Sequence, residues 1–159
     1  MLTSGGRTVS PARHLAVSAA SGAILTLWLH SWVAGITCTI VGVFVDIDHF
    51  LDFWLTCGFS LNLKRFLDFS YYGTSRRFLV IFHAYEYIPV CLWLATFPEI
   101  RYFGWGLTSG YVLHLLCDQV GNRGLHRYTY FLSYRLVQRF EFRKLVLRRP
   151  FELAREPKH

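Results

Sequence analysis

From His14 to Val45 the chain carries no Asp, Glu, Lys or Arg. About 20 apolar residues cross a hydrocarbon core, so this run is too long for one span. It suits two short spans joined by a tight turn near His30-Ser31-Trp32, over roughly 14–30 and 32–51. Two further apolar stretches follow. Phe78 to Phe97 is interrupted only by His83 and Glu86, and Tyr102 to Val120 only by His114 and Asp118. Pro98-Glu99-Ile100-Arg101 supplies a turn between them. The pattern predicts an all-α membrane protein with four transmembrane helices.

The remaining segments are mixed. Residues 52–77 interleave Phe, Tyr and Trp with Lys and Arg, which suits an interfacial loop with a short surface helix, a lid over a site at that face. Beyond it, about 125–149 reads as a C-terminal basic amphipathic helix. Arg135, Arg139 and Arg143 recur on one face, beside an apolar stripe of Leu132, Leu136 and Phe140. The chain therefore divides into a four-span membrane domain over 1–122 and a basic helix and tail over 123–159.

Composition agrees. Of 159 residues, 53% are hydrophobic, 18% aromatic and only 17% charged, against about 25% charged in an ordinary soluble domain. Disorder and a polar-coated soluble enzyme are both excluded. Four scattered cysteines without Cys-x-x-Cys spacing read as small packing residues rather than a disulfide framework.

The net charge of +7 is unevenly distributed. Arg7 and Arg13 precede span one, and Lys64, Arg65, Arg76 and Arg77 lie between spans two and three. Arg123, Arg127, Arg135, Arg139, Arg143, Lys144, Arg148, Arg149, Arg155 and Lys158 follow span four, while the other side has only Arg101. Positive residues stay on the cytoplasmic side. The expectation is a multi-pass protein of the bacterial inner membrane with both termini cytoplasmic and no cleaved signal peptide. Its partners would be membrane lipids, with the basic tail on an anionic lipid surface. A protein partner or a homo-oligomer stays open, and nucleic acid is disfavoured because the tail's apolar stripe matches a bilayer better.

Ionisable residues within spans mark function, and here they form one group per span. His14 opens span one, and Asp46-Ile47-Asp48-His49 lies near the end of span two. His83 and Glu86 lie near the start of span three, His114 and Asp118 near the end of span four. In the alternating topology all four groups reach similar depth at the cytoplasmic side. Asp46 and His49 are i, i+3, as are His83 and Glu86, and His114 and Asp118 are i, i+4, so each pair shares a helix face. Asp48 points away from Asp46 by roughly 200° on a regular helix. That leaves it to serve a second metal, orient a histidine, or mark a helix break. Imidazole and carboxylate suit zinc, manganese or iron. The candidate metal ligands are His14, Asp46, Asp48, His49, His83, Glu86, His114 and Asp118, with Glu86 and Asp48 as candidate catalytic groups. Asp52 and His126 read as interfacial or solvated, and His30 lies at the opposite face.

The early His, Asp46-Ile47-Asp48-His49, the central His83 and Gly110-Tyr111-Val112-Leu113-His114-Leu115-Leu116-Cys117-Asp118 resemble a bacterial family. It is the inner-membrane metal-dependent hydrolases, LexA-regulated in enteric bacteria, and more remotely zinc-dependent phospholipase C. The resemblance covers about 14–122. The family has Pro where this chain has Val45, and a Gly-His-Arg-x-x-Thr-His element where this chain has Phe82-His83-Ala84-Tyr85-Glu86. The resemblance implies a divalent metal, zinc first, and hydrolysis of a phosphoester or lipid head group at the cytoplasmic face. Two other classes stay open: a di-iron membrane oxidoreductase, since Asp-x-x-His and His-x-x-Glu on a four-helix bundle suit such a centre, and a non-enzymatic small subunit of a membrane assembly.

Overall fold

The computed structural model describes residues 11–72, 78–122 and 125–146. Of the basic flanks, Arg7, Arg76, Arg77, Arg123, Arg148, Arg149, Arg155 and Lys158 lie outside the described residues. Among the described residues every regular element is helical, with one isolated antiparallel bridge between Leu125 and Val146.

Helix α1 (Pro11–Leu29) opens on a proline, whose fixed φ suits a first helical turn. His30, at φ 48°, reverses the chain, and Ser31 caps α2 (Trp32–Phe44) by accepting from the Ala34 N–H. Val45 and Asp46 keep right-handed helical dihedrals, so the run continues into α3 (Ile47–Cys57). Trp32–Cys57 is the stretch among the described residues long and apolar enough to cross a membrane, and His14–Leu29 is a shorter apolar helix. The expected set of four full spans is therefore reduced to one stretch that qualifies by length and composition.

Helix α4 (Leu63–Tyr72) is the short helix expected in the interfacial loop. Phe66 stacks on Phe50 of α3 at 3.8 Å between ring centroids and meets Phe53 edge-on. Helix α6 (Arg101–Gly121) coincides closely with the fourth expected span. Helices α1, α2 and α6 pack on one another, with α2 central and α5 (Ile88–Leu94) against α6. Small residues permit this. A Cβ at Gly106 would fall on the Ala34 carbonyl and one at Gly110 on the Cys38 carbonyl, so two residues four apart on α6 seat directly on two residues four apart on α2.

The third expected span is helical only in its second half. Residues 78–84 form no helix, and a 3-10 turn at Tyr85–Tyr87 leads into α5. Its backbone groups bond to neighbouring elements, chiefly to their side chains, instead of forming a helix, as described below.

The C-terminal expectation also changes. In place of one long helix there are a 3-10 turn at Arg127–Tyr130, α7 (Leu132–Val137) and α8 (Phe142–Leu145). Arg139 and Phe140 have φ of 54° and 55°, which ends α7. The segment folds back on the body. The Phe78 N–H donates to the Phe140 carbonyl at 2.9 Å and the His126 N–H to the Leu145 carbonyl at 2.8 Å. Tyr130 joins Val45, Tyr111 and Leu115 in a core cluster. The expected polarity is inverted at two positions, where Arg135 is fully buried and Leu136 exposed, while Arg139 and Arg143 are exposed as expected.

Candidate metal centre

The bundle brings His14 at the start of α1, Asp46 at the end of α2, and His114 and Asp118 late in α6 to one end. His83 arrives beside them on the non-helical segment. Four side-chain atoms converge there: Asp46 Oδ1, His83 Nε2, His114 Nε2 and Asp118 Oδ2. His83 Nε2 is 3.0 Å from His114 Nε2, 3.2 Å from Asp46 Oδ1 and 3.2 Å from Asp118 Oδ2. His114 Nε2 is 3.3 Å from Asp46 Oδ1 and 3.6 Å from Asp118 Oδ2.

Those five separations match a coordination shell. Ligands at about 2.0 Å from a tetrahedral ion stand about 3.3 Å from one another. The protonation state agrees. His83 Nδ1 lies 3.2 Å from Asp48 Oδ2, and His114 Nδ1 lies 2.8 Å from the Gly42 carbonyl. Carboxylate and carbonyl oxygens only accept, so each Nδ1 carries the ring proton. Each ring then turns its Nε2 to the centre, the atom that would ligate an ion there. A divalent metal fits both this donor set of two imidazole nitrogens and two carboxylate oxygens and its spacing.

The remaining candidates surround this group. His14 Nε2 is 3.1 Å from Asp118 Oδ1, and its ring stacks on His114 at 4.5 Å. It orients Asp118 from behind. His49 Nε2 is 3.6 Å from Asp46 Oδ1, and its ring meets His83 edge-on. His49, Asp48 and His83 form a second group with metal-compatible spacing, but the Asp48–His83 contact there is the one that sets the His83 tautomer.

Glu86 is elsewhere. Its carboxylate accepts the Leu132 N–H at 2.9 Å, the Ser133 N–H at 2.8 Å and the Ser133 hydroxyl at 2.8 Å. It satisfies the free N–H groups at the start of α7. Burial alone raises its pKa, but these donors prevail and hold it below the usual Glu value. The expected His-x-x-Glu pair fails because residues 83–86 are not a regular helix, so the i, i+3 rule does not apply to them. Asp48 is buried: its Oδ2 also accepts the Phe82 N–H at 2.7 Å, while its Oδ1 has no hydrogen-bond partner among the described residues.

Asp52, expected at a solvated surface, is buried and accepts the Leu79 N–H at 3.2 Å. Tyr111 and Arg135 were not among the sequence candidates. The Tyr111 hydroxyl accepts the Ala84 N–H at 3.0 Å and directs its proton at the Phe82 and Ala84 carbonyls. Arg135 Nη2 donates to the His83 carbonyl at 2.8 Å. Tyr111 lies three residues before His114, hence on its face of α6. Nothing in the sequence separates Arg135 from Arg139 and Arg143. His126 caps the Arg127–Tyr130 turn and stacks on Tyr134, and His30 is exposed in the α1–α2 turn.

Access is one-sided. The side chains of Asp46 and His49 are 34% and 31% exposed, while those of His14, His83, His114 and Asp118 are almost wholly buried. Phe44, Ile47, Leu51, Ile81 and Phe82, neighbours in sequence to these residues, are exposed.

No family model, no curated relative and no solved structure matches the chain.

Proposed function

We propose that the protein is a membrane-embedded, metal-dependent hydrolase that binds one divalent ion, zinc first, with manganese or iron as alternatives. Its ligands are His83, His114, Asp118 and Asp46. The observation that carries this reading is the 3.0–3.6 Å spacing of these ligand atoms, with both Nδ1 protons directed outward.

When bound, such an ion supplies Lewis acidity towards a phosphoryl or acyl oxygen and a nucleophile at neutral pH. The protein's own residues do the rest. Asp48 and the Gly42 carbonyl hold the two imidazoles, and His14 holds Asp118. Three ligands are buried and Asp46 is half-exposed, so a substrate approaches over Asp46. His49, beside it, is the titratable group at the open side that can hold or release a proton.

The bilayer is the setting that suits the surface. Ile24, Leu27, Trp28, Trp32, Ile36 and Ile40 are all exposed on α1 and α2. A contiguous apolar surface of this kind is rare on a soluble monomer. Asp46 lies about 14 residues, roughly 21 Å, along the Trp32–Cys57 stretch from its start, towards one side of a hydrocarbon core about 30 Å thick. At that depth, the substrate class favoured is a phosphoester or lipid head group presented at the cytoplasmic face. The motifs quoted for the LexA-regulated inner-membrane hydrolases support the same reading by resemblance. The bundle then lies in the bacterial inner membrane as a multi-pass protein with cytoplasmic termini.

The di-iron reading is less favoured, because Glu86 faces α7 instead of supplying the additional carboxylate such a centre needs. A non-enzymatic subunit with a polar clasp is the outcome if metal and turnover are both absent. The test is turnover of phospholipids and phosphoesters by detergent-purified protein loaded with zinc or manganese. Activity above that of a His114→Ala, Asp118→Ala double variant is expected, and equality with that variant overturns the hydrolase reading.

A further inference from the structure

His83 contributes to the centre from a segment with no secondary structure of its own. An unsupported segment cannot hold an imidazole within the few tenths of an ångström that coordination demands. Apart from the backbone bond of Phe78 to Phe140 at its start, the supports along it come from side chains on other elements. On one side, Asp52 and Asp48, one turn apart on α3, accept the Leu79 and Phe82 N–H groups. On the other, Tyr111 of α6 binds Phe82 and Ala84, and Arg135 of α7 binds the His83 carbonyl itself.

Arg135 is the costly member of this set. It is fully buried, and its Nε and Nη1 have no hydrogen-bond partner among the described residues. A buried guanidinium needs compensation by negative charge. Asp48 and Glu86 are the carboxylates that act on it, and Asp48 is the residue that fixes the His83 tautomer. Around the centre stand three carboxylates, Asp46, Asp48 and Asp118.

We infer that Tyr111 and Arg135 are positioning residues that clamp the His83 carbonyl side, and that the C-terminal segment is in this way a working part of the metal centre. The inference rests on the metal-binding reading above. It assigns the segment over 125–146 a role inside the protein, where the sequence pattern had pointed to a lipid surface.

The test uses the full chain in detergent with Tyr111→Phe, Arg135→Met and Arg135→Lys, and the exposed Arg143→Met as control. Three quantities are read: zinc affinity by chelator competition, the visible spectrum of the cobalt-substituted protein, and amide exchange over 78–84. Tyr111→Phe and Arg135→Met are expected to weaken zinc binding by about tenfold or more, the range of lost outer-shell support. They should shift the cobalt band and speed exchange over 78–84, while α2 and α6 stay protected. Arg135→Lys recovers part of the loss, because an ammonium still donates to the His83 carbonyl, and Arg143→Met matches wild type. If Arg135→Met unfolds the bundle, Tyr111→Phe and Arg135→Lys decide. Wild-type affinity, cobalt spectrum and exchange in folded Tyr111→Phe and Arg135→Lys overturn the clamp. A wild type that binds no metal overturns the metal reading alone, and exchange over 78–84 still decides the clamp.

Discussion

His83 and His114 face each other through their Nε2 atoms at 3.0 Å, although 31 positions separate them in the chain. Each ring's other nitrogen is committed to an oxygen acceptor, Asp48 for His83 and Gly42 for His114. The pair therefore turns two Nε2 atoms to one point, next to two carboxylates.

Purified protein should hold about one divalent metal per chain, and His114→Ala or Asp118→Ala should abolish it. Elemental analysis beside circular dichroism separates lost metal from lost fold. Iron with an oxygen-dependent optical band would move the di-iron reading ahead.

Asp48→Asn keeps the volume and a hydrogen-bonding side chain but removes the charge that holds the His83 proton on Nδ1. Metal affinity should fall by about 10–100-fold with the ligands themselves intact. Unchanged zinc affinity in a folded Asp48→Asn protein would show that Asp48 does not set the tautomer.

Glu86→Gln separates two roles that the sequence left joined. It should leave metal content unchanged and lower stability by about 1 kcal/mol, from weakened bonds at the start of α7. Metal loss comparable to that of His114→Ala would instead place Glu86 among the ligands.

The same carboxylate has a pH signature. Its folded pKa lies below the usual Glu value, so its contribution is fully present above about pH 4.3, the unfolded value, and fades as pH falls through the folded one. The stability difference between wild type and Glu86→Gln should be flat near neutrality and shrink on acidification below that point. A difference that grows on acidification would have the wrong sign.

Ile40→Arg tests the bilayer. Ile40 is exposed on α2. On an aqueous surface the change should be worth at most about 0.5 kcal/mol, whereas a lipid-facing arginine is opposed by about 2.5–3.5 kcal/mol. Strongly reduced recovery in the membrane fraction is expected. Normal yield of soluble, folded protein would remove the membrane reading.

Several elements were legible in the sequence because their causes are local. A charge-free run from His14 to Val45 with a break at His30-Ser31 forces a helical hairpin. The apolar stretch before Asp118 forces α6. Helical spacing alone put Asp46, His114 and Asp118 on inward faces, and antiparallel succession brought them to one end. The third span misled because apolar composition over 78–97 says nothing of which partners its backbone will find. Asp48, Asp52, Tyr111 and Arg135 lie 27 to 52 positions away from the groups they bind there. They draw residues 79–84 out of the helical pattern, and with it Glu86 out of the site.

The sequence by itself determined which side chains could bind a metal and at which end of the bundle they would gather, since both follow from residue type and helical period. The tertiary structure decided which of them share the centre and which serve as supports. It also turned Arg135 inward, because a buried carbonyl and two carboxylates reward one arginine of a periodic set, and no local rule distinguishes that one from its neighbours.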